Sequence, residues 1–384
     1  MSADLLIRNR WVIDPSQKLN GGYDLVISDG RIMDIVTTDD GKTNDGKTNE
    51  PVQARETIDA AGCIVTPGLI DLHAHVISES TQLGVRADSV GIEQGVTTLV
   101  DAGSAGAWTF DAFLKEGVEP SITRVLAFLN ISGDGLCRGG AELSDMSRLA
   151  AKDAVTLIRE QPSIRGIKAR MSASVVKNNG LAPLLVAKQA AREAGVPLMV
   201  HIGNAPPTLS EVLSLLDEGD VVTHAFHGKQ GGILDVRGQL LPEAESALAR
   251  GVLFDVGHGE SSFSFRTMQQ AKALGIAPYS ISTDVHARNL NGPVHSLTHT
   301  MSKFLALGFT MYEIVAACTS APAKVLGLER EIGTLAPGAY ADVTILRRET
   351  MPIALTDSEQ ETILAKEAVF AQQVITSGKV LTCT

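Results

Sequence analysis

The sequence predicts an α/β protein in which a (β/α)8 TIM barrel carries a small β-sandwich built from both ends of the chain. Residues 5–64 form short alternating apolar runs broken by Gly, Asp and Asn, which is typical of antiparallel strands and turns. After Pro67 the pattern changes to strand-then-helix units, which are typical of parallel architecture. The tail from Gly333 returns to strands and turns. We therefore predict a composite sandwich of residues 1–66 and 331–384 and a barrel of residues 67–330.

The composition is typical of a soluble globular protein, since 44% of the 384 residues are hydrophobic and 20% are charged. The net charge of -11 argues against a nucleic-acid partner, because phosphate binding requires a basic surface. No apolar stretch reaches the roughly 18 residues of a membrane span. The four cysteines lie far apart, which favours a reducing compartment. We expect a cytoplasmic protein that acts on a small molecule without nucleic acid or membrane, and the sequence allows a homo-oligomer.

The barrel elements can be assigned in order along the chain. Eight apolar segments are predicted strands: residues 64–75, 97–102, 122–131, 166–170, 197–202, 220–226, 252–257 and 279–284. Helical patterns lie between them, such as residues 143–161 and residues 181–195, where Gly195 is typical of a helix end. In the N-terminal sheet, the tandem repeat "DGKTNDGKTN" at residues 40–49 predicts an inserted surface loop without a catalytic role.

Polar residues follow five of these strands at the C-terminal ends, where a barrel places its chemistry. They are His73, His75, Lys168, His201, His224 and Asp284. The two histidines of "GLIDLHAHV" are two residues apart in one strand, so their side chains point to the same face. Four imidazoles and a carboxylate suit zinc, and manganese, iron and cobalt are chemically compatible. The pattern predicts a metal site at the barrel mouth.

Lys168 does not fit this set as an ammonium group, because a cation cannot bind a cation. Burial beside metal ions lowers the pKa of a lysine, and the neutral amine can react with carbon dioxide to form a carbamate, which acts as a bridging carboxylate. Two cations roughly 3.5–4 Å apart can share a hydroxide that is a nucleophile at neutral pH. Asp284 could accept the proton during attack and deliver it to the leaving group. This chemistry predicts a carbamate on Lys168 and a catalytic role for Asp284 at the metal site.

The motifs "TPGLIDLHAH", "GIKAR", "LMVHIG", "VVTHAF" and "ISTDVH" resemble those of the amidohydrolase superfamily over nearly the whole chain. The C-terminal "TSAPAKVLGLEREIGTLAPGAYADVTIL" is similar to the stretch by which these enzymes leave the barrel and rejoin the sandwich. The resemblance implies that His73 and His75 hold one metal with Asp284. It also implies that His201 and His224 hold the other, and that Lys168 bridges both.

The resemblance extends to the dihydroorotase-like and deacetylase branches of that superfamily. Dihydroorotases usually carry an arginine two residues beyond the second histidine, and Ile77 stands at that position here. The sequence therefore favours a hydrolase that attacks an amide or ester bond of a small acylated carboxylate, such as an N-acyl amino acid or an acyl hydroxy acid, with metal-bound hydroxide. Cyclic amide hydrolysis is the alternative, and a catalytically silent structural barrel is a further one.

Four more residues are candidates for contact with the substrate. His258 lies between two glycines at the end of the seventh predicted strand. Arg138 and Arg170 lie near the predicted mouth, where a guanidinium group can bind a carboxylate through two hydrogen bonds or can pair with an internal acid. Asn204 can bind the substrate through hydrogen bonds or serve as a turn residue.

Overall fold

The computed structural model describes residues 2–8, 11–37 and 52–384, so the predicted loop at residues 40–49 lies outside the described residues. The strands are β1 Ser2–Arg8, β2 Val12–Asp14, β3 Leu19–Gly21, β4 Tyr23–Ser28, β5 Arg31–Thr37, β6 Gln53–Asp59, β7 Ile64–Pro67, β8 Leu69–Ala74, β9 Val96–Gly106, β10 Arg124–Asn130, β11 Ile164–Met171, β12 Leu198–Ile202, β13 Val221–Thr223, β14 Leu253–Phe254, β15 Val343–Thr356, β16 Thr362–Thr376 and β17 Lys379–Thr382.

The α-helices lie between the strands in the order that a β/α barrel requires. They are α1 Ala87–Val90, α2 Phe110–Ala112, α3 Ala151–Glu160, α4 Ala173–Val176, α5 Ala182–Ala194, α6 Leu209–Ser214, α7 Pro242–Ala249, α8 Phe265–Ala273, α9 Leu297–Ala306, α10 Met311–Cys318 and α11 Ser320–Val325. The predicted helix at 181–195 is α5, and Gly195 ends it with a left-handed φ of 70°. The pattern at 143–161 forms a helix only in its second half, α3. Across the described ranges, no helix is long and apolar enough to cross a membrane.

The two ends of the chain form the sandwich together. One sheet has the strand order β5-β4-β1-β6, and the other has the order β17-β16-β15-β7-β2-β3. In the second sheet, β7 pairs antiparallel with β15, so the sheet joins strands from opposite ends of the chain. Side chains of both sheets share one apolar cluster, which includes Leu25, Val65 and Ile375. The composite sandwich of the predicted fold class is therefore present, and the domain boundaries remain predictions.

The predicted first barrel strand divides at Gly68 into two strands of different sheets. β7 belongs to the sandwich, whereas β8 opens the barrel sheet. The backbone of Gly68 packs tightly against Thr97, because a Cβ on Gly68 would lie 2.2 Å from Oγ1 of Thr97. The amide of Gly68 donates to the carbonyl of Asp342 at 2.7 Å, which ties the entrance of the barrel to the strand where the chain leaves it.

The barrel sheet contains β8 to β14 in sequence order, and all neighbours in it are parallel. The predicted eighth strand is not a regular strand, although it closes the ring with isolated bridges to both edges, Asp255↔Ser280 and Ala74↔Val285. Backbone hydrogen bonds from Val256 to Ser280 (3.1 Å) and from Asp284 to His73 (2.6 Å) support the closure. The segment is interrupted at Asp284, because its φ of 50° is not a strand conformation.

Candidate metal centre

Two buried histidines at the end of β8 approach the same carboxylate. His73 lies within the strand, and His75 directly follows the last strand residue, Ala74. Nε2 of His73 is 3.3 Å from Oδ1 of Asp284, and Nε2 of His75 is 3.2 Å from the same oxygen. The sequence predicts that two histidines two residues apart in a strand point to the same face, and both rings do approach Oδ1 of Asp284.

A chain of hydrogen bonds determines which nitrogen of His73 carries the proton. The Thr223 hydroxyl donates to Oδ2 of Asp255 at 2.7 Å, and it therefore accepts from Nδ1 of His73 at 2.9 Å. Nε2 of His73 is left with its lone pair, which can accept from Nζ of Lys168 at 3.2 Å. A carboxylate that orients a histidine through an intermediate group is a typical outer partner of a metal ligand.

His224 directly follows β13 and has a left-handed backbone conformation with a φ of 66°. Nδ1 donates to the carbonyl of Gly257 at 2.6 Å, so Nε2 carries the lone pair. That Nε2 is buried, and it has no hydrogen-bond partner among the residues that the structure describes. A buried acceptor without a partner is costly in a protein, and a bound cation removes that cost.

The rings of His201, which lies in β12, and His224 are edge to face, with centroids 4.4 Å apart. Burial lowers the pKa of both histidines, to about 3 for His224 and well below the usual value for His201. Burial also lowers the pKa of His73 well below its usual value. These three rings are therefore neutral at pH 7, which is the form that binds a metal.

Lys168 lies in β11 and is almost completely buried. Its Nζ is 3.2 Å from Nε2 of His73 and 3.3 Å from the sulfur of Met199. Burial lowers its pKa to about 7, so a large fraction of the amine is neutral at physiological pH. The stem of Lys168 packs on Gly103 of β9, where a Cβ would lie 2.8 Å from Cγ of the lysine. The structure thus places a buried amine with a lowered pKa beside the histidines.

Asp284 completes the group and is held in its charged form. Burial alone would raise its pKa, but the imidazoles of His73 and His75 outweigh burial and hold the pKa well below its usual range. Ligand atoms of His73, His224 and Asp284 lie within 4.8 Å of one another. The six residues that the sequence selects from five strands therefore meet at one end of the barrel, and their donor set fits divalent metal ions.

A cavity of about 690 Å³ reaches one member of this group, His201, which forms part of its lining. Arg138, Arg170 and Asn204 line the same cavity, as expected for groups near the mouth. Arg170, however, forms an ion pair with Glu142 through two hydrogen bonds, at 2.6 Å from Nε and 2.9 Å from a terminal nitrogen. Its charge is therefore neutralised within the protein, whereas Arg138 is exposed.

The structure places His258 in a fully buried position. Nε2 is 2.7 Å from Nζ of Lys303, and Nδ1 is 3.0 Å from the carbonyl of Gly259. Its ring also packs on Phe263, with centroids 4.8 Å apart. Both nitrogens thus contact protein atoms, and the predicted contact of His258 with the substrate remains a prediction.

Thr223, Asp255, Lys229 and Arg288 are further candidates for a functional role that the sequence motifs do not single out. Thr223 immediately precedes the ligand candidate His224 at the end of a strand, so its hydroxyl could have been recognised in the sequence as a partner for a metal ligand. Lys229 and Arg288 both line the cavity. They follow His224 and Asp284 by five and four residues, so a search for cations in the loops after those residues could have found them.

Replacement of Thr223 by valine keeps the side-chain shape and removes the hydroxyl that orients His73. We expect metal affinity to fall by about 10- to 100-fold, the range for loss of an outer partner of a metal ligand. Metal content after dialysis against a chelator series measures this effect. The matched control is Thr66→Val, a buried threonine of the sandwich strand β7. Equal metal retention in the two variants would contradict the role of Thr223.

Comparison with known proteins shows similarity along nearly the whole chain. The sequence profile described as "Amidohydrolase family" matches residues 64–381. A protein named "Deacetylase" from Enterococcus faecalis is 38% identical over 385 residues, which cover 99% of both chains. A protein named "Deacetylase Atu3266" from Agrobacterium fabrum is 39% identical over 306 residues, which cover 79% of this chain and 75% of that protein.

Solved structures agree with the fold. A crystal structure titled as an adenine deaminase has a TM-score of 0.90 and 37% identity, and the match covers 99% of this chain and 100% of the other. A second, titled as a dihydroorotase, has a TM-score of 0.88 and 33% identity, with coverage of 100% and 99%. The names of these relatives differ in substrate, although their overall structures are alike.

Proposed function

This chain belongs to the amidohydrolase family and is a metal-dependent hydrolase, and we propose that it cleaves an amide or ester bond of a small acylated carboxylate. The observation that carries the proposal is the convergence of His73, His224 and Asp284, whose ligand atoms lie within 4.8 Å of one another. N-acyl amino acids and acyl esters of hydroxy acids are the substrates that we favour.

Two divalent ions, of which zinc is the best match to the histidines, would supply an activated water and a polarised carbonyl. His73, His75 and Asp284 would hold one ion, and His201 and His224 the other. Lys168, as a carbamate, would contact both. We propose the carbamate because the amine of Lys168 is buried beside His73 and has a pKa of about 7, which makes the neutral form available for carbon dioxide.

Asp284 is the group that we propose to move the proton. Its carboxylate is charged, and Oδ1 lies between the two histidines of β8. It can take the proton of the attacking water and return it to the leaving nitrogen or oxygen of the substrate. Its backbone amide donates to the carbonyl of His73, which keeps the carboxylate in register with the strand.

The lining of the cavity supports an anionic substrate. Arg138, Lys229 and Arg288 line it together with Glu79. Arg288 has a carboxylate partner in Glu260 at 3.2 Å, whereas the ammonium group of Lys229 donates to the neutral hydroxyl of Ser261 at 3.2 Å. A half-buried ammonium group with a neutral partner is suited to a carboxylate that the substrate brings.

The branch of the family is a finer part of the proposal. The relatives from Enterococcus faecalis and Agrobacterium fabrum are named deacetylases. Ile77, at the position where dihydroorotases usually carry an arginine, is fully buried in the apolar core of the barrel. Cyclic amide hydrolysis remains the second candidate, because the structure with 33% identity is titled as a dihydroorotase.

We also propose that the enzyme acts in the cytoplasm, since its cysteines lie far apart in the sequence, as is usual in a reducing compartment.

A focused substrate library tests the proposal. The zinc-loaded protein is assayed with N-acetyl amino acids, acetyl hydroxy acids and cyclic amides, and release of acetate or of the open-chain acid is measured. We expect turnover of an acyclic acetylated carboxylate. Turnover of the cyclic amides alone would assign the second candidate. Absence of both turnover and bound metal would indicate a silent structural barrel.

Replacement of Lys229 by methionine tests recognition of the carboxylate. We expect KM to rise by about 10- to 100-fold, equivalent to about 1.5–3 kcal/mol for a hydrogen bond to a charged group. The same variant should hydrolyse the neutral methyl ester of the substrate as the parent enzyme does. Lys152→Met, on the exposed face of α3, is the matched control. An equal rise in KM for the charged substrate and for its neutral methyl ester would show that Lys229 does not bind the carboxylate.

A further inference from the structure

The loop of residues 257–259 contacts a candidate ligand of each metal ion. The carbonyl of Gly257 accepts the hydrogen bond from Nδ1 of His224 at 2.6 Å. On the other side of the loop, Gly259 lies against Asp284, because a Cβ on this glycine would be 2.6 Å from Oδ2 of the carboxylate. A displacement of this short segment would therefore change the direction of both ligands.

His258, the central residue of the loop, is held from the barrel side by a buried lysine of α9. Nζ of Lys303 lies 2.7 Å from Nε2 of His258 and donates to the carbonyl of Pro293 at 2.7 Å. Burial lowers the pKa of Lys303 to about 7, and its Nζ is a donor in both the charged and the neutral form. With this donor at Nε2 and the carbonyl of Gly259 as an acceptor beside Nδ1, a neutral His258 carries its proton on Nδ1. Burial supports this form, because it lowers the pKa of His258 well below the usual value.

The sandwich reaches the same loop from the opposite side. The hairpin of β15 and β16 ends in a tip at which the Ser358 hydroxyl donates to the carbonyl of Gly259 at 3.0 Å and lies 3.5 Å from Nδ1 of His258. The tip is anchored to the barrel, since the amide of Ser358 donates to the carbonyl of Phe263 and Asp357 accepts from the amide of Phe265. Lys303 and Ser358 thus hold one segment between two domains of the fold.

We propose that Lys303 and Ser358 are positioning residues, which act through the loop of residues 257–259 to hold His224 and Asp284 in the geometry that binds metal. The proposal rests on the proposed function, and it gives the sandwich hairpin an indirect part in the metal centre, through the loop of residues 257–259. Lys303 is completely buried, and its two close partners, a ring nitrogen and a carbonyl, are neutral. A lysine in such surroundings is costly for stability, which favours a role in positioning.

Lys303→Met and Ser358→Ala test the two contacts, and each has a control. Lys188 is also buried, but it pairs with Asp217 and Asp220 at the N-terminal end of the barrel strands, so Lys188→Met reports the loss of a buried lysine remote from the centre. Ser358→Thr keeps the hydroxyl. Each variant is measured for thermal unfolding, for zinc retained against a chelator, and for kcat and KM separately.

We expect Lys303→Met and Ser358→Ala to lose zinc at about 10- to 100-fold lower chelator concentration than the parent, with a lower kcat and a nearly unchanged KM. Lys188→Met should lower the unfolding temperature without changing kcat, and Ser358→Thr should behave like the parent. The idea would be overturned if Lys303→Met resembled Lys188→Met in every measurement. It would also be overturned if His258→Asn raised KM without changing kcat or zinc retention, because His258 would then contact the substrate.

Zinc retention separates a failure of this inference from a failure of the proposed function. The chelator measurement needs no substrate, so it stays informative if the library yields no turnover. Normal zinc retention in Lys303→Met and Ser358→Ala would remove the positioning role and leave the hydrolase proposal intact. Loss of zinc in both variants without any turnover by the parent would support the positioning role and contradict the proposed substrate class.

Discussion

Lys168→Ala is expected to lose metal binding and hydrolysis together. The amine of Lys168 lies 3.2 Å from Nε2 of His73, and two adjacent cations repel each other strongly unless anions lie between them. Loss of a bridging carbamate should therefore cost more than the ~10- to 100-fold that loss of an outer partner costs. Zinc content by mass spectrometry and kcat/KM measure the two effects. Propionate at high concentration should restore part of both.

Two further variants separate the carbamate from simple packing. Lys168→Arg should fail as well, because guanidinium stays protonated and cannot form a carbamate. Lys188→Ala removes another buried lysine and should affect only stability. Intact mass or density that shows an unmodified Lys168 in a fully active enzyme with two metal ions would exclude the carbamate. The centre would then have to be assigned a different bridging group or a mononuclear mechanism.

Asp284→Asn is expected to reduce turnover by about 10²- to 10⁴-fold, the range for loss of a general base. Asparagine suits this test because residue 284 has a φ of 50°, and asparagine tolerates the left-handed conformation better than most residues. The amide keeps an oxygen that can face His73 and His75 but cannot accept the proton. Single-turnover rates, with zinc content measured on the same samples, report the effect.

The interpretation of this variant depends on the metal content. If zinc is retained and turnover falls, Asp284 moves the proton as proposed. Near-normal turnover with both ions bound would assign the proton transfer to another group. Asp255→Asn is a useful companion variant, because Asp255 contacts Thr223 and not the ligand atoms, so it should weaken metal binding without removing the general base.

The sequence alone was sufficient to select the residues that meet at the candidate metal centre. Alternation along a strand places His73 and His75 on one side, and parallel strands of a barrel all end at the same rim. These two local rules predict the meeting of Lys168, His201, His224 and Asp284 without any coordinates. They depend only on the order of residues along each strand. The structure brings the predicted residues together for that reason.

The conformation of the eighth predicted strand could not be predicted from its own residue pattern. Residues 279–284 have the apolar pattern of a strand, but they form isolated bridges that close the ring. Ser280 and Ser282 direct their hydroxyls to Asp255, and Asp284 has a left-handed φ. These features depend on the neighbouring segments, so the pattern of one segment does not predict them.

The sequence by itself determined which residues could carry the chemistry, because residue type and strand spacing are local properties. Tertiary structure alone decided how those residues are held and which charges remain available. Glu142 neutralises Arg170 from 28 residues away, and Ser358 reaches His258 across 100 residues. Such contacts depend on how distant segments pack, which a single sequence does not encode in any short pattern. The same packing leaves Nε2 of His224 buried without a hydrogen-bond partner among the described residues, so its lone pair is available to bind a metal ion.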